Sequence, residues 1–389
     1  MMEMNTLNAD FRRDFLQRGF SRRNLGRLAA ILTAGASLPF YNEFSLARAQ
    51  GREDREPMPP DAVRISGNEN PLGPCKEACE AIAKVASQGG RYDPNGESVE
   101  FHRTAAAMEG LKRNYVAGFA GSADPLHRTI AAFTGPDKPL VTGDPGYEAP
   151  ERTAEFIGAK VIRVPLLGSG AHDVKAMVKA SPSAGVFYIC NPNNPTGTIT
   201  PKEDIEWLLA NKPTGSILLL DEAYIHFSKD ATMGSYLVAQ DKELVVLRTF
   251  SKAYGMAGIR AGMALARPDY LSKIAPFGSG RLPVTAAAAA ITSMKLPGLI
   301  PERRKINAEI RESTLNFLEQ KRFHYLAGSQ TNFFMMDVKR PGREFAAAMA
   351  KQKVYVGRTW PFYPTYSRVT VGTKDEMEKF KAALMKVMA

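Results

Sequence analysis

The stretch Ile217-Leu218-Leu219-Leu220-Asp221-Glu222-Ala223-Tyr224 decides the fold. Four consecutive apolar residues without polar alternation read as a strand buried on both faces, as in a parallel sheet held between helices. The run stops on two acids and a tyrosine. A second run, Leu244-Val245-Val246-Leu247-Arg248, stops on Thr249-Phe250-Ser251-Lys252, with Arg260 eight residues beyond the lysine. Upstream, Val186-Phe187-Tyr188-Ile189-Cys190 stops on Asn191-Pro192-Asn193-Asn194-Pro195-Thr196-Gly197. In an open α/β sheet, ligands bind beyond the carboxyl ends of the strands. Three such ends therefore place an acid, a phenol, an amide, a lysine, hydroxyls and an arginine on one rim.

Outward from these runs, residues 115–119, 139–142 and 160–164 are further strand candidates, and 216–220 and 244–248 bound the first two runs. Helix-like segments at 126–133 and 149–157 separate them. Strand–helix alternation predicts an α/β fold with a mostly parallel sheet covered by helices. After about residue 280 the pattern changes. An Ala-rich stretch at 284–294 opens a helical region reaching about residue 321. Strand candidates at 333–338 and 368–371 follow, then an amphipathic helix from Lys374. The expected organisation is an N-terminal arm at 50–90, a large domain at 91–280 and a smaller C-terminal α+β domain at 281–389.

The chain has 389 residues and a net charge of +11. That length suits two domains. No Lys/Arg cluster is interleaved with aromatics, and no zinc-finger or RNA-binding signature occurs, so the basic excess points to small anionic substrates and not to nucleic acid. No uninterrupted apolar run reaches the ~18 residues of a membrane span, and no stable membrane anchor is expected. Three cysteines cannot staple a chain this long. Cys75 and Cys79, spaced i, i+4, read as small buried apolar residues, and Cys190 as core.

Residues 1–49 read differently from the rest. Ser21-Arg22-Arg23-Asn24-Leu25 precedes a mild apolar stretch from Leu28 to Phe40, and Ala47-Arg48-Ala49 follows. This is the order of an n-region, an h-region and a cleavage site. The paired arginines resemble a twin-arginine signal, although Gly26 and Arg27 follow them. The expectation is a signal peptide over 1–49 and a periplasmic address, weighed against an amphipathic N-terminal helix and a cytoplasmic one.

Singly, each rim motif has a plain structural explanation: Gly121-Ser122 as a turn and cap, Asn-Pro-Asn-Asn-Pro as a loop, Asp221 as a helix cap. In combination and order they resemble the fold-type I pyridoxal-phosphate enzymes of the class I and II aminotransferases, and within them the histidinol-phosphate aminotransferases. The matching pieces are Asn68-Glu69-Asn70-Pro71-Leu72-Gly73, Arg91-Tyr92-Asp93-Pro94, Gly121-Ser122, Pro145-Gly146-Tyr147, Asn191 to Gly197, Asp221 to Tyr224, Arg248 to Lys252 with Arg260, Thr331-Asn332-Phe333 and Arg368-Val369-Thr370-Val371-Gly372-Thr373.

The resemblance implies an aspartate aminotransferase-like fold and pyridoxal 5'-phosphate as cofactor. Lys252 would bond the cofactor aldehyde and move the substrate proton as base and acid. Asp221 would pair with the ring nitrogen, Tyr224 and Asn194 would bind the ring oxygen, and Tyr147 would stack on the ring. Ser122, Ala123, Thr249, Ser251 and Arg260 would hold the phosphate. Ala123 departs from the family pattern, which removes any side-chain role there. Tyr92 resembles a tyrosine that reaches the partner subunit's phosphate, implying a homodimer. Arg368 would clamp a substrate carboxylate, with Arg358 and Asn332 as further substrate contacts. The implied reaction is ping-pong amino transfer between an amino acid or amine and a 2-oxo acid. The alternatives are a decarboxylase like the threonine-phosphate decarboxylases, and a non-catalytic periplasmic binding protein on the same scaffold.

Overall fold

The computed structural model describes residues 9–21, 46 and 58–389. The twin arginines and the expected cleavage site lie outside the described residues. Seven strands form the central sheet in the order β2 (Val116–Phe119), β8 (Gly262–Ala266), β7 (Leu244–Thr249), β6 (Ile217–Asp221), β5 (Val186–Cys190), β3 (Leu140–Asp144) and β4 (Val161–Pro165). All run parallel except β8, which is antiparallel to both β2 and β7. The mostly parallel α/β sheet expected from the sequence is present.

Side chains alternate across this sheet with period two. Tyr188, Cys190, Ile217, Leu219, Val245 and Leu247 enter one core, roofed by the helices Ala123–Phe133 and Ala149–Ile157. Phe187, Ile189, Leu218, Leu220, Leu244 and Val246 enter the other, with residues of Glu97–Glu109, Val174–Ala180, Lys202–Asn211 and Val284–Met294. The same alternation separates the two acids after β6. Asp221 continues the Ile217–Leu219 face. Glu222 turns to the opposite face, where it meets Arg248, itself paired with Glu109 at 3.1 Å. This buried cluster ties β6, β7 and the helix Glu97–Glu109 together.

A second, smaller core surrounds a three-stranded antiparallel sheet, β12 (Tyr366–Thr370), β10 (Phe333–Asp337) and β9 (His324–Tyr325), and a parallel pair, β1 (Val63–Ile65) with β11 (Val354–Val356). The pair carries the N-terminal arm onto the C-terminal domain. The expected helical region at 284–321 is two helices, Val284–Met294 and Leu299–Gln320, bent by 84°. The first packs against Lys76–Ala86 and Glu97–Glu109 on the large sheet. No single described helix is long and apolar enough to cross a membrane.

Two details depart from expectation. Cys79 is exposed and Cys75 only partly buried, because Lys76–Ala86 turns Ala78 and Val85 inward instead; Cys190 is core as expected. Residues 9–20, expected to stand apart from the fold, pack on it. Helix Ala9–Gln17 leads to Phe15 and Phe20, both 2% exposed. Arg18 donates to the carbonyls of Ala131 and Thr134 at 2.7 Å each. These are carbonyls at the C-terminus of helix Ala123–Phe133, where a cation is favoured.

Candidate active site

The site lies at the carboxyl ends of β5, β6 and β7. Register places Cys190 beside Asp221 and Asp221 beside Leu247, so the three strands end almost level. Asp221 is 4% exposed. One of its oxygens accepts from the Tyr188 hydroxyl at 2.9 Å and the other from the Ala223 N–H at 3.2 Å. Burial pushes its carboxyl up to about 6, against the opposing effects of the Tyr188 and Ala223 hydrogen bonds and the Lys252 charge. A carboxylate held so dry is set to receive a cationic partner.

Lys252 follows β7. Its Nζ donates to the carbonyl of Gly67 at 3.2 Å and stands 5.7 Å from the centre of the Tyr224 ring. Tyr224 is buried, edge-on to Phe333 at 5.0 Å, and its hydroxyl accepts from Asn68 Nδ2 at 3.0 Å. Asn68, at φ 53°, in turn exchanges hydrogen bonds with Thr370 of β12.

The anion end is built from β2, β7 and β8. Gly121, Ser122 and Ala123 lead into the helix Ala123–Phe133, whose first N–H groups have no intrahelical acceptor. Ser122 makes no capping bond with its side chain. The Arg260 guanidinium lies against Gly121, where a Cβ would sit 2.2 Å from Nη2. It is held by Ser251 Oγ at 3.3 Å and by the carbonyls of Ala257 at 2.9 Å and Ala120 at 3.2 Å. Thr249 Oγ1 accepts from the Ser251 N–H. Gly262, paired with both Phe119 and Thr249, approaches the Gly121–Ser122 backbone so closely that a Cβ would lie 2.5 Å from it. Only glycine allows that approach.

At the substrate end, Arg368 is fully buried. It donates to Asn194 Oδ1 and to the Ser66 carbonyl, each at 2.9 Å. Arg358 is fully engaged: Nη1 and Nη2 reach the two carboxylate oxygens of Glu148 at 2.8 and 3.0 Å. Trp360 lies between them, its ring centre 4.7 Å from the Arg358 guanidinium carbon and 5.2 Å from that of Arg368. Its indole N–H donates to the Gly146 carbonyl at 3.2 Å, next to half-buried Tyr147. Asn332 donates to the carbonyls of Asn68 and Glu69, bracing the arm.

The structure thus gathers Asp221, Tyr224, Lys252, Asn194 and Arg368 into one connected region, with Ser122, Ala123, Thr249, Ser251 and Arg260 at the anion end. Tyr92 stands apart at 96% exposure. Sequence reasoning singled out the Asn68 motif without giving Asn68 a role, and missed Tyr188, Glu148 and Gly262. The period-two position of Tyr188, on the Asp221 face, was the available signal; the others needed three dimensions. Among the described residues no cluster suits a metal ion. The residues present fit pyridoxal phosphate: a dry acid for the ring nitrogen, an amine for the aldehyde, and N–H groups with an arginine for the phosphate.

Known proteins agree with this geometry. The family model for aminotransferase class I and II matches residues 60–384. A histidinol-phosphate aminotransferase of Moorella thermoacetica is 30% identical over 341 residues, 85% of this chain and 86% of that protein. An aromatic amino acid aminotransferase of Streptomyces avermitilis is 30% identical over 355 residues, 88% of this chain and 93% of that protein. The crystal structure of histidinol-phosphate aminotransferase from Sinorhizobium meliloti with pyridoxal-5'-phosphate superposes with a TM-score of 0.76 at 27% identity, covering 90% of this chain and 95% of that one. The chain belongs to the pyridoxal-phosphate-dependent class I and II aminotransferases, with a fold like that of the histidinol-phosphate aminotransferases.

Proposed function

We propose that this aminotransferase moves an amino group from an α-amino acid to a 2-oxo acid, acts as a homodimer, and works in the periplasm. The observation that carries the reaction is the convergence of Lys252, Asp221 and buried Arg368 on one region. The bound cofactor supplies an electron sink for the carbanion formed beside the amino nitrogen. Asp221 would pair with the ring nitrogen and keep it protonated, which sustains that sink. Tyr224 and Asn194 fix the ring oxygen. Ser122, Ala123, Thr249, Ser251 and Arg260 would hold the phosphate, and Tyr147 would stack on the ring. Arg368 orients the substrate carboxylate with a planar fork. Lys252 Nζ would bond the cofactor aldehyde and serve as the base and acid that moves the substrate α-proton.

Support for the dimer is the exposure of Tyr92, which leaves its ring available to a second subunit. Support for export is the order Arg22-Arg23, apolar stretch, Ala47-Arg48-Ala49. A twin-arginine route carries folded protein, which suits a chain that takes up its cofactor before export. The test is cell fractionation of the full chain with mass measurement. Periplasmic protein, blocked by Arg22→Lys with Arg23→Lys, is expected; cytoplasmic protein would overturn the address. For the reaction, amino donors are added singly to cofactor-loaded protein. Spectral conversion reversed by a 2-oxo acid is expected, and an amine product without a 2-oxo acid would overturn it.

A further inference from the structure

The geometry points to a substrate site whose far end rejects anions: Glu148 neutralises Arg358, so the enzyme favours amino donors with uncharged or cationic side chains over carboxylate- or phosphate-bearing ones. This rests on reading Arg368 as the carboxylate clamp. Arg358 is otherwise the natural receptor for a distal anion, ten residues before Arg368 and sharing Trp360 with it. Here its fork is filled by a carboxylate of the chain itself, in the bidentate geometry a substrate anion would use. The Arg358 side chain is 1% exposed, while Glu148 retains 22%. Of the pair, the acid is the more accessible partner and the guanidinium is covered.

Glu148 is also well held. It stands at the start of helix Ala149–Ile157, where negative charge is favoured. Asp144 and Glu151 share its segment, and the charges of Asp144 and Glu148 are both felt at Glu151. An anionic side chain would have to displace Glu148 from Arg358 and then compete with its carboxylate for the same guanidinium. Discrimination of this kind works by repulsion as much as by attraction. Removing the Glu148 charge takes away the carboxylate that fills the Arg358 fork, which opens that fork to an incoming anion.

The test compares wild type with Glu148→Gln, a near-isosteric change at a partly exposed position, using cofactor-loaded protein. The first readout is the ratio of kcat/KM for glutamate or histidinol phosphate to kcat/KM for phenylalanine. A rise of tenfold or more in the variant is expected; a constant or falling ratio overturns the inference. The second readout is calorimetric binding of phenyl phosphate, which needs no turnover. At least tenfold tighter binding to the variant is expected, abolished in Glu148→Gln with Arg358→Ala. Equal binding overturns the inference. If no donor converts the cofactor while phenyl phosphate still discriminates, the carboxylate-clamp reading fails and the neutralised subsite stands.

Discussion

Asp221, Lys252 and Arg260 hang from neighbouring strands of one sheet, and their positions follow from hydrogen-bonded register. Glu148, Arg358, Trp360 and Arg368 belong to two domains and are joined across them by the Arg358–Glu148 pair, the Arg368–Asn194 bond and the Trp360 indole on the Gly146 carbonyl. The cofactor end is thus rigid and set by local sequence order. The substrate end is an interface, set by the relative position of two cores. The difference teaches where change is tolerated. Altering the first end disables the chemistry, whereas altering the second end changes which substrate enters.

Substitutions sharpen that contrast. Lys252→Ala removes the amine that moves the proton, and turnover should fall by about 10⁴-fold or more. Single-turnover absorbance checks this, and retained catalysis would break the cofactor-end account. Asp221→Ala should lower kcat by about 10³-fold by removing preorganised charge, with little change in KM; a silent variant would place Asp221 outside the site.

Asp221 also makes a stability claim. Folded, its carboxyl keeps its proton to about pH 6, raised by burial from 3.8. Unfolded, it releases that proton near pH 4. Ionisation therefore destabilises the cofactor-free fold as pH rises from about 4 to 6, by an amount on the order of 3 kcal/mol. Cofactor-free Asp221→Asn should be more stable than wild type at pH 7.5, with the gap closing toward pH 4. Denaturation at the two pH values measures it, and a pH-independent difference would contradict it.

At the substrate end the effects should be smaller and fall on KM. Arg368→Lys keeps the charge but loses the fork, removing about 2 kcal/mol of charge-assisted hydrogen bonding. KM for α-amino acids should rise roughly 30-fold while kcat changes little; an equal fall in kcat would show that Arg368 acts in the chemical step. Tyr188→Phe is the mildest change. It deletes one hydrogen bond to Asp221, worth about 1 kcal/mol, so kcat should fall roughly fivefold and the Asp221 titration should move upward.

The contrast also explains what sequence could tell. Residues 186–190, 149–157 and 284–294 read as the elements they are, because apolar runs and helical spacing are local signals. Strand β8 was not read, since Gly262-Met263-Ala264-Leu265-Ala266 carries little strand propensity. Gly262 is there because the strand passes close to the Gly121 turn. The rim residues were legible because they punctuate strands. The pairing of Glu148 with Arg358 was not, because 210 residues separate the partners and only the packing of the two domains joins them. Residues 9–20 were set aside with the expected leader, so the fit of Phe15, Arg18 and Phe20 to the end of helix Ala123–Phe133 was not read. A short amphipathic segment looks alike whether it addresses a protein or packs on it.

The most direct test of the central claim is the visible spectrum of the cofactor-loaded enzyme during titration with single amino donors. The account predicts loss of the lysine-bound cofactor band with neutral α-amino acids, its return on adding a 2-oxo acid, and no such band in Lys252→Ala. A band that persists in Lys252→Ala, or one that no amino donor converts, would contradict it.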